Sequence, residues 1–405
     1  MTFLKADFNH VMHYAATFTL PQLIPAIGIR HLPETSHSLS NSSAHCFFSI
    51  TTTTLNQMTP EADLQYHLSP LTDSDEIRLL YLAPSSLNER IQCVTFHANL
   101  SSKPEYEALS YEWGSKEMKI ITLNGEDYSV RTNLFDALLR LRLERAERIL
   151  WIDAICINQD NVKERNHQVS RMASIYSQAQ HVIVWLRELP DFECKLALGF
   201  LQLIQENNPM EVVDHFFRMD YNTRWGLQVW MGLRELALKR YWTRLWVVQE
   251  VLVASSIKVQ CGLYCVPWIN LKHFFEYLQL KPVRFNPFNG NREIELKAGD
   301  AMEAIMKSRM QAFVAGRPGN LTSNLSYLCW LHGKGECEKE VDKVFGLWAL
   351  ASDCCQQAVP VDYLLPCEQV LHKLLMHDIA AHGMPAKSAS DVGAFKRQLF
   401  GRYGP

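Results

Sequence analysis

Two short stretches of this chain hold side chains that could do chemistry together. The first is Leu150-Trp151-Ile152-Asp153-Ala154-Ile155-Cys156-Ile157-Asn158-Gln159-Asp160-Asn161, where an apolar run delivers carboxylates and amides to one loop. The second is Arg240-Tyr241-Trp242-Thr243-Arg244-Leu245-Trp246-Val247-Val248-Gln249-Glu250. On a helix Trp246 and Glu250 share a face, Trp242 extends that stripe by a turn, and Arg240 and Arg244 fall on another stripe. A carboxylate beside a large aromatic is partly desolvated, which raises its pKa toward the range useful for acid–base work. A plain helix with tryptophan anchors and a solvated Glu250 satisfies the same spacing. Likewise Asp153 and Asn158 suit a ligand at the carboxyl edge of a sheet. They suit equally a loop braced by local backbone hydrogen bonds. Cys156 has the chemistry of a nucleophile, but Ile155 and Ile157 on either side place it in the core.

Periodicity indicates the elements that must position these residues. Ile149–Ile152 is a continuous apolar run, the pattern of a strand covered on both faces, and His181–Leu186 is another. Between them residues 162–179 put Val169, Met172, Ile175 and Tyr176 on one helical face. Strand, helix, strand predicts a βαβ unit whose two strands are adjacent and parallel. Upstream, Ile77–Leu82 and Ile91–His97 read as strands, followed by Ala108–Tyr111. Lys119–Leu123 and Tyr128–Val130 flank Asn124-Gly125, a pair that accepts the positive φ of a tight hairpin. Asn133 is placed to cap a helix presenting Leu134, Ala137, Leu138 and Leu141. Further helices are expected near 192–206, 226–239, 241–254, 297–315, 322–332, 341–351 and 367–381, with a strand at 257–261. The fold class is therefore α/β, a mostly parallel central sheet flanked by helices, with a helical C-terminal region.

The chain has 405 residues, 47% of them hydrophobic, and a formal charge of −3. That is ample for a large core, and it offers no electrostatic basis for nucleic-acid binding. No apolar run is long enough to span a bilayer. The 11 cysteines are scattered without a C-x-x-C pair, which reads as reduced thiols in the cytoplasm. Cys329, His332 and Cys337 are close in sequence but lack a fourth ligand, so no metal is assigned to them. Residues 1–60, poor in charge and rich in Ser and Thr, are expected to be a poorly ordered extension. The main domain is expected over 61–281, a Pro/Asn/Gly-rich linker over 282–296, and the helical region over 297–405.

Four segments carry a family resemblance: Tyr106–Gly114, Leu150–Asn161 with Glu164-Arg165, Arg240–Glu250, and Asp342–Leu347 followed by Pro360-Val361-Asp362-Tyr363. Their wording, order and spacing resemble the heterokaryon-incompatibility domain of filamentous fungi, the first three covering its core from Tyr106 to Glu250. The resemblance implies a cytoplasmic effector of non-self recognition and programmed cell death. An allelic or non-self protein would be its partner, and self-association a means of activation. It also implies a distant likeness to TIR domains, whose Trp-x-x-x-Glu-like motif acts on NAD. Glu250 would then be the catalytic carboxylate and Trp246 its support, while Asp153, Asn158 and Gln159 hold the rest of the ligand. NAD would be a substrate, with no bound cofactor. The alternative implied is a non-catalytic interaction module that signals by self-assembly. The first and fourth segments read as structural: Tyr106, Leu109 and Trp113 fill the core, Gly114 permits a turn, and Asp342 lies near a helix start.

Overall fold

A computed structural model describes residues 69–86, 89–187, 192–206, 224–237, 239–271, 324–383 and 392–400. The chain divides into two units, Met1–Gln65 and Tyr66–Pro405, and every element named below belongs to the second. The extension expected over 1–60, the linker over 282–296 and the helix at 297–315 lie outside the described residues.

Among the described residues nine strands pair into one sheet: β1 Glu76–Leu82, β2 Gln92–Asn99, β3 Glu107–Tyr111, β4 Met118–Leu123, β5 Glu126–Arg131, β6 Arg148–Trp151, β7 His181–Trp185, β8 Ile257–Cys261 and β9 Tyr264–Pro267. Their order is β5-β4-β2-β1-β6-β3-β7-β8-β9. The sheet is mixed, which corrects the expectation of a mostly parallel one. At its centre β3 is parallel to both β6 and β7, and β7 is parallel to β8. Outside this block β1 is antiparallel to β2 and β6, and β9 to β8. The tight β4–β5 and β8–β9 connections enforce antiparallel pairing, because a parallel return needs a long crossover. In the β4–β5 hairpin Asn124 and Gly125 both take positive φ, 54° and 89°, as their types predict.

The βαβ expectation needs one correction. β6 and β7 are parallel in direction but not adjacent, because β3 lies between them and pairs with both. A crossover helix constrains only the direction of the strand it returns to. The slot is filled by Ala108, Leu109, Ser110 and Tyr111, all buried, which suits a strand covered on both faces.

The helices are α1 Thr132–Leu141, α2 Asp153–Cys156, α3 Val162–Gln178, α4 Phe192–Glu206, α5 Arg224–Ala237, α6 Val247–Leu252, α7 Leu325–His332, α8 Asp342–Trp348, α9 Asp353–Ala358, α10 Cys367–Ala381 and α11 Val392–Phe400. α3 buries Val169, Met172, Ile175 and Tyr176 as the spacing indicates, with Tyr176 edge-on to Trp151 at 5.3 Å. Asn133 is not a cap. α1 begins at Thr132, and the Asn133 amide instead bridges the Glu112 carbonyl and the Trp185 indole. The helix expected over 241–254 is broken into a 3₁₀ turn, Arg240–Thr243, and α6. Arg244 between them is extended, and Thr243 and Leu245 pair their backbones with Glu336. That competing ladder takes hydrogen bonds a continuous helix would need. Trp242 therefore shares no helical stripe with Trp246. Among the described residues no helix is long and apolar enough to cross a membrane.

Candidate functional site

Because β3 and β6 are parallel, both discharge their carboxyl ends at the same edge of the sheet. Glu112, Trp113 and Gly114 follow β3; Ile152 and Asp153 follow β6. Gly114 has φ of +72°, which lets the chain turn back toward the sheet. The Trp113 indole donates to Asp153 Oδ2 at 3.0 Å, tying the two loops together. Asp153 Oδ1 accepts from the Ala154 amide at 2.7 Å, and Gln159 Nε2 donates to the Asp153 carbonyl at 3.0 Å. Behind the loop, buried Arg78 pairs with Glu164 at 2.5 Å, and Glu164 accepts from the Asn158 amide. These contacts tie the loop to the sheet edge and to the element behind it. Asp153 and Gln159 thus stand on the wall of a cavity of about 430 Å³, with Arg165, Arg244, Trp246, Asp342 and Tyr363 on its other sides.

Arg244 lines this cavity, and Glu250 is paired with it from behind the wall. Glu250 is only 2% exposed, and its Oε2 stands 3.8 Å from Arg244 Nη1. A hydrogen-bonded chain leads into it: the Tyr241 hydroxyl lies 2.5 Å from Ser110 Oγ, and Ser110 donates to Glu250. Burial pushes the Glu250 carboxyl up to about 7, against the opposing pull of Arg244 and Ser110. Burial also raises Asp153, again opposed by Arg244. For the guanidinium the balance goes the other way. Burial alone would weaken its charge, but Glu250 and Asp153 together hold it more firmly protonated. Arg244 Nη1 is nonetheless buried without a hydrogen-bond partner, because 3.8 Å is too long for one. Arg165 Nε is in the same state. Orphaned buried donors are costly, and an acceptor from water or a ligand would relieve that cost.

On the opposite side Tyr363 donates its hydroxyl to Asp342 Oδ1 at 2.7 Å, and Asp342 is buried. The Arg165 guanidinium lies 4.3 Å above the Tyr363 ring. The C-terminal region therefore completes the cavity.

The candidate residues divide as follows. Asp153, Gln159 and Trp246 line the cavity together. Glu250 stands behind the wall and is not part of the lining. Asn158 braces its loop, accepting from the Asp160 and Asn161 amides. Cys156 is buried, as its isoleucine neighbours indicate, and burial pushes its thiol up to about 12, which disfavours the thiolate. One reading is corrected. Arg244, assigned to a stripe away from Glu250, is its ion-pair partner, because the extended link at Arg244 resets the helical phase. Trp113 packs against the core and Asp342 lies in the first turn of α8, as read from the sequence, and both line the cavity as well, together with Tyr363. Their presence in the four resembling segments was the available signal.

Residues 106–250 match the family described as "Heterokaryon incompatibility protein (HET)". The chain is also similar to the protein named "Heterokaryon incompatibility protein 6, OR allele" of Neurospora crassa, 30% identical over 47% of this chain. The chain spans about a third, 33%, of the length of that relative. No solved structure matches. The matched segment runs from Tyr106 at the head of β3 to Glu250 in α6, and so contains both the Asp153 loop and the Arg244–Glu250 pair.

Proposed function

Since residues 106–250 form a heterokaryon-incompatibility domain, we propose that the chain is an effector of non-self recognition and cell death that works by cleaving NAD in this cavity. The observation carrying the reading is Arg244 Nη1, buried, charged and without a hydrogen-bond partner, on a wall shared with Asp153. A cationic donor of this kind suits a phosphate oxygen. With Arg165 it would hold the diphosphate of a dinucleotide.

The carboxylate that reaches the ligand is then Asp153 rather than Glu250. As the bond between the ribose C1′ and the nicotinamide nitrogen breaks, its electron pair leaves with nicotinamide. An oxocarbenium-like ribose develops, and a nearby carboxylate stabilises it, as in glycoside hydrolysis. Water adds at C1′ and loses one proton, giving nicotinamide, ADP-ribose and H⁺. Trp246 offers a flat face on which the nicotinamide ring stacks. Glu250 is a positioning residue, holding Arg244 charged and aimed at the cavity. This TIR-like chemistry is also what the Trp246–Glu250 spacing implies by resemblance.

The test is to incubate the purified chain with NAD and measure nicotinamide and ADP-ribose. Release by the parent and its loss in Asp153→Asn, with the circular dichroism spectrum unchanged, is the expected result. If the parent binds NAD or self-associates but releases no nicotinamide, the catalytic reading fails. The domain is then a non-catalytic module that signals by self-assembly with an allelic or non-self partner.

A further inference from the structure

The C-terminal helices carry a second constellation that has no part in the cavity. Cys354 and Cys355 lie in α9, His377 in the last turns of α10, and His382 at its C-terminal cap. One ligand atom from each of the four lies within 4.8 Å of all the others. His382 Nε2 is 3.2 Å from His377 Nε2, 3.3 Å from Cys355 Sγ and 3.7 Å from Cys354 Sγ. The two imidazole planes meet at 81° with centroids 4.9 Å apart.

Hydrogen bonding alone does not account for this geometry. An imidazole nitrogen has either one proton or one lone pair, so His382 Nε2 serves one partner, not three. A single ion at the centre accounts for all of the contacts at once. Zinc bonds of about 2.3 Å to sulfur and about 2.0–2.1 Å to nitrogen place tetrahedral ligand atoms ~3.3 Å apart for N–N and ~3.5 Å for N–S. The three separations from His382 Nε2, 3.2, 3.3 and 3.7 Å, lie near these edges, and all four atoms lie within 4.8 Å of one another, so a small inward shift would close the tetrahedron. We propose that Cys354, Cys355, His377 and His382 form a structural zinc site joining α9 to the end of α10.

The chemistry of the donors agrees. Two sulfur and two imidazole ligands in a tetrahedron suit zinc among the common biological metals. Binding would displace both thiol protons to solvent, and the two thiolates would cancel the charge of the ion. Ser352 Oγ lies 3.2 Å from Cys354 Sγ and donates to Cys355 Sγ at 3.4 Å, the outer-layer support that ligating thiolates use. The sequence conceals the site in two ways. The cysteines are consecutive instead of two to four residues apart, although the histidines keep a usual zinc spacing. Moreover, residues five apart on a continuous helix point about 140° away from each other. His377 and His382 meet only because α10 ends at Ala381 and His382 leaves helical geometry, with φ −123° and ψ 11°.

The experiment uses the full chain, purified with zinc present and then freed of loose metal by gel filtration. About one zinc per chain by elemental analysis is expected. Exchange with cobalt should give the intense visible bands and thiolate charge-transfer band of tetrahedral sulfur-ligated cobalt. A chelator should lower the melting temperature of the parent and leave His377→Ala/His382→Ala unaffected. Cys354→Ser should lose the cobalt thiolate band or reduce it, whereas Cys265→Ser, an exposed thiol outside the cluster, should retain full stoichiometry. Absence of stoichiometric zinc together with no tetrahedral cobalt spectrum in the parent overturns the proposal. So does equal zinc loss in Cys265→Ser, or a Cys354–Cys355 disulfide found by mass under reducing purification.

Discussion

Arg244, on the cavity wall, has its Nη1 3.8 Å from the Oε2 of Glu250 behind it, an N–H without a hydrogen-bond partner facing a carboxylate that is 2% exposed. The pair is close enough for strong attraction and too long for direct bonding. Burial raises the Glu250 carboxyl to about 7 even though Arg244 draws it down, and Arg244 Nη1 is left without a hydrogen-bond partner.

The pH dependence of stability follows from Glu250. Its folded pKa, about 7, lies above the ordinary value of 4.5, so the folded state binds the proton more tightly than the unfolded state. The associated stability is fully present below pH 4.5 and is lost as the pH rises toward 7, by on the order of 3 kcal/mol. Glu250→Gln mimics the protonated carboxyl and should remove this slope. Urea unfolding at several pH values between 4.5 and 8 measures it. Parallel curves for parent and variant would contradict the assignment.

Arg244→Met should weaken binding of ADP-ribose by about tenfold to a hundredfold, the range for losing one charge-assisted hydrogen bond. Isothermal titration calorimetry at fixed salt gives the comparison. An unchanged affinity would mean that Arg244 does not meet the ligand.

Gly114→Ala should destabilise the protein by about 1–2 kcal/mol, because the residue holds φ of +72°. The added Cβ would also lie 2.5 Å from Arg187 Nη2. That guanidinium, which now lies 3.4 Å from the Glu112 carboxylate, would have to shift. Thermal and urea melts test the prediction, and a neutral result would mean that the turn can relax.

Tyr363→Phe removes the hydroxyl that satisfies buried Asp342 but leaves the ring beneath Arg165. A loss of about 1.5–3 kcal/mol is expected from that hydrogen bond to a charged or partly charged carboxyl. If the urea midpoint does not move, Asp342 has found another donor.

The elements around the site were largely open to sequence reasoning. β6, β7, α3, β8 and the Asn124-Gly125 hairpin follow from patterns spanning only a few residues each. The break at Arg244 was not visible, because every residue of α6 is buried. Apolar spacing there reflects enclosure on all sides rather than one helical face. The site was half visible for a related reason. Asp153 and Gln159 lie on one loop, whereas Ser110 and Glu250, which share a hydrogen bond, are 140 residues apart.

The sequence by itself determined the local elements, the segments that match the family, and the loop that carries Asp153. These depend on side-chain type and short periodicity, which a linear chain records directly. Tertiary structure alone decided that β3 enters between β6 and β7, that Arg244 faces Glu250, and that His377 and His382 meet Cys354 and Cys355. Each of these depends on where the chain breaks off a regular element and on which distant surface it then packs against, and no local pattern encodes either.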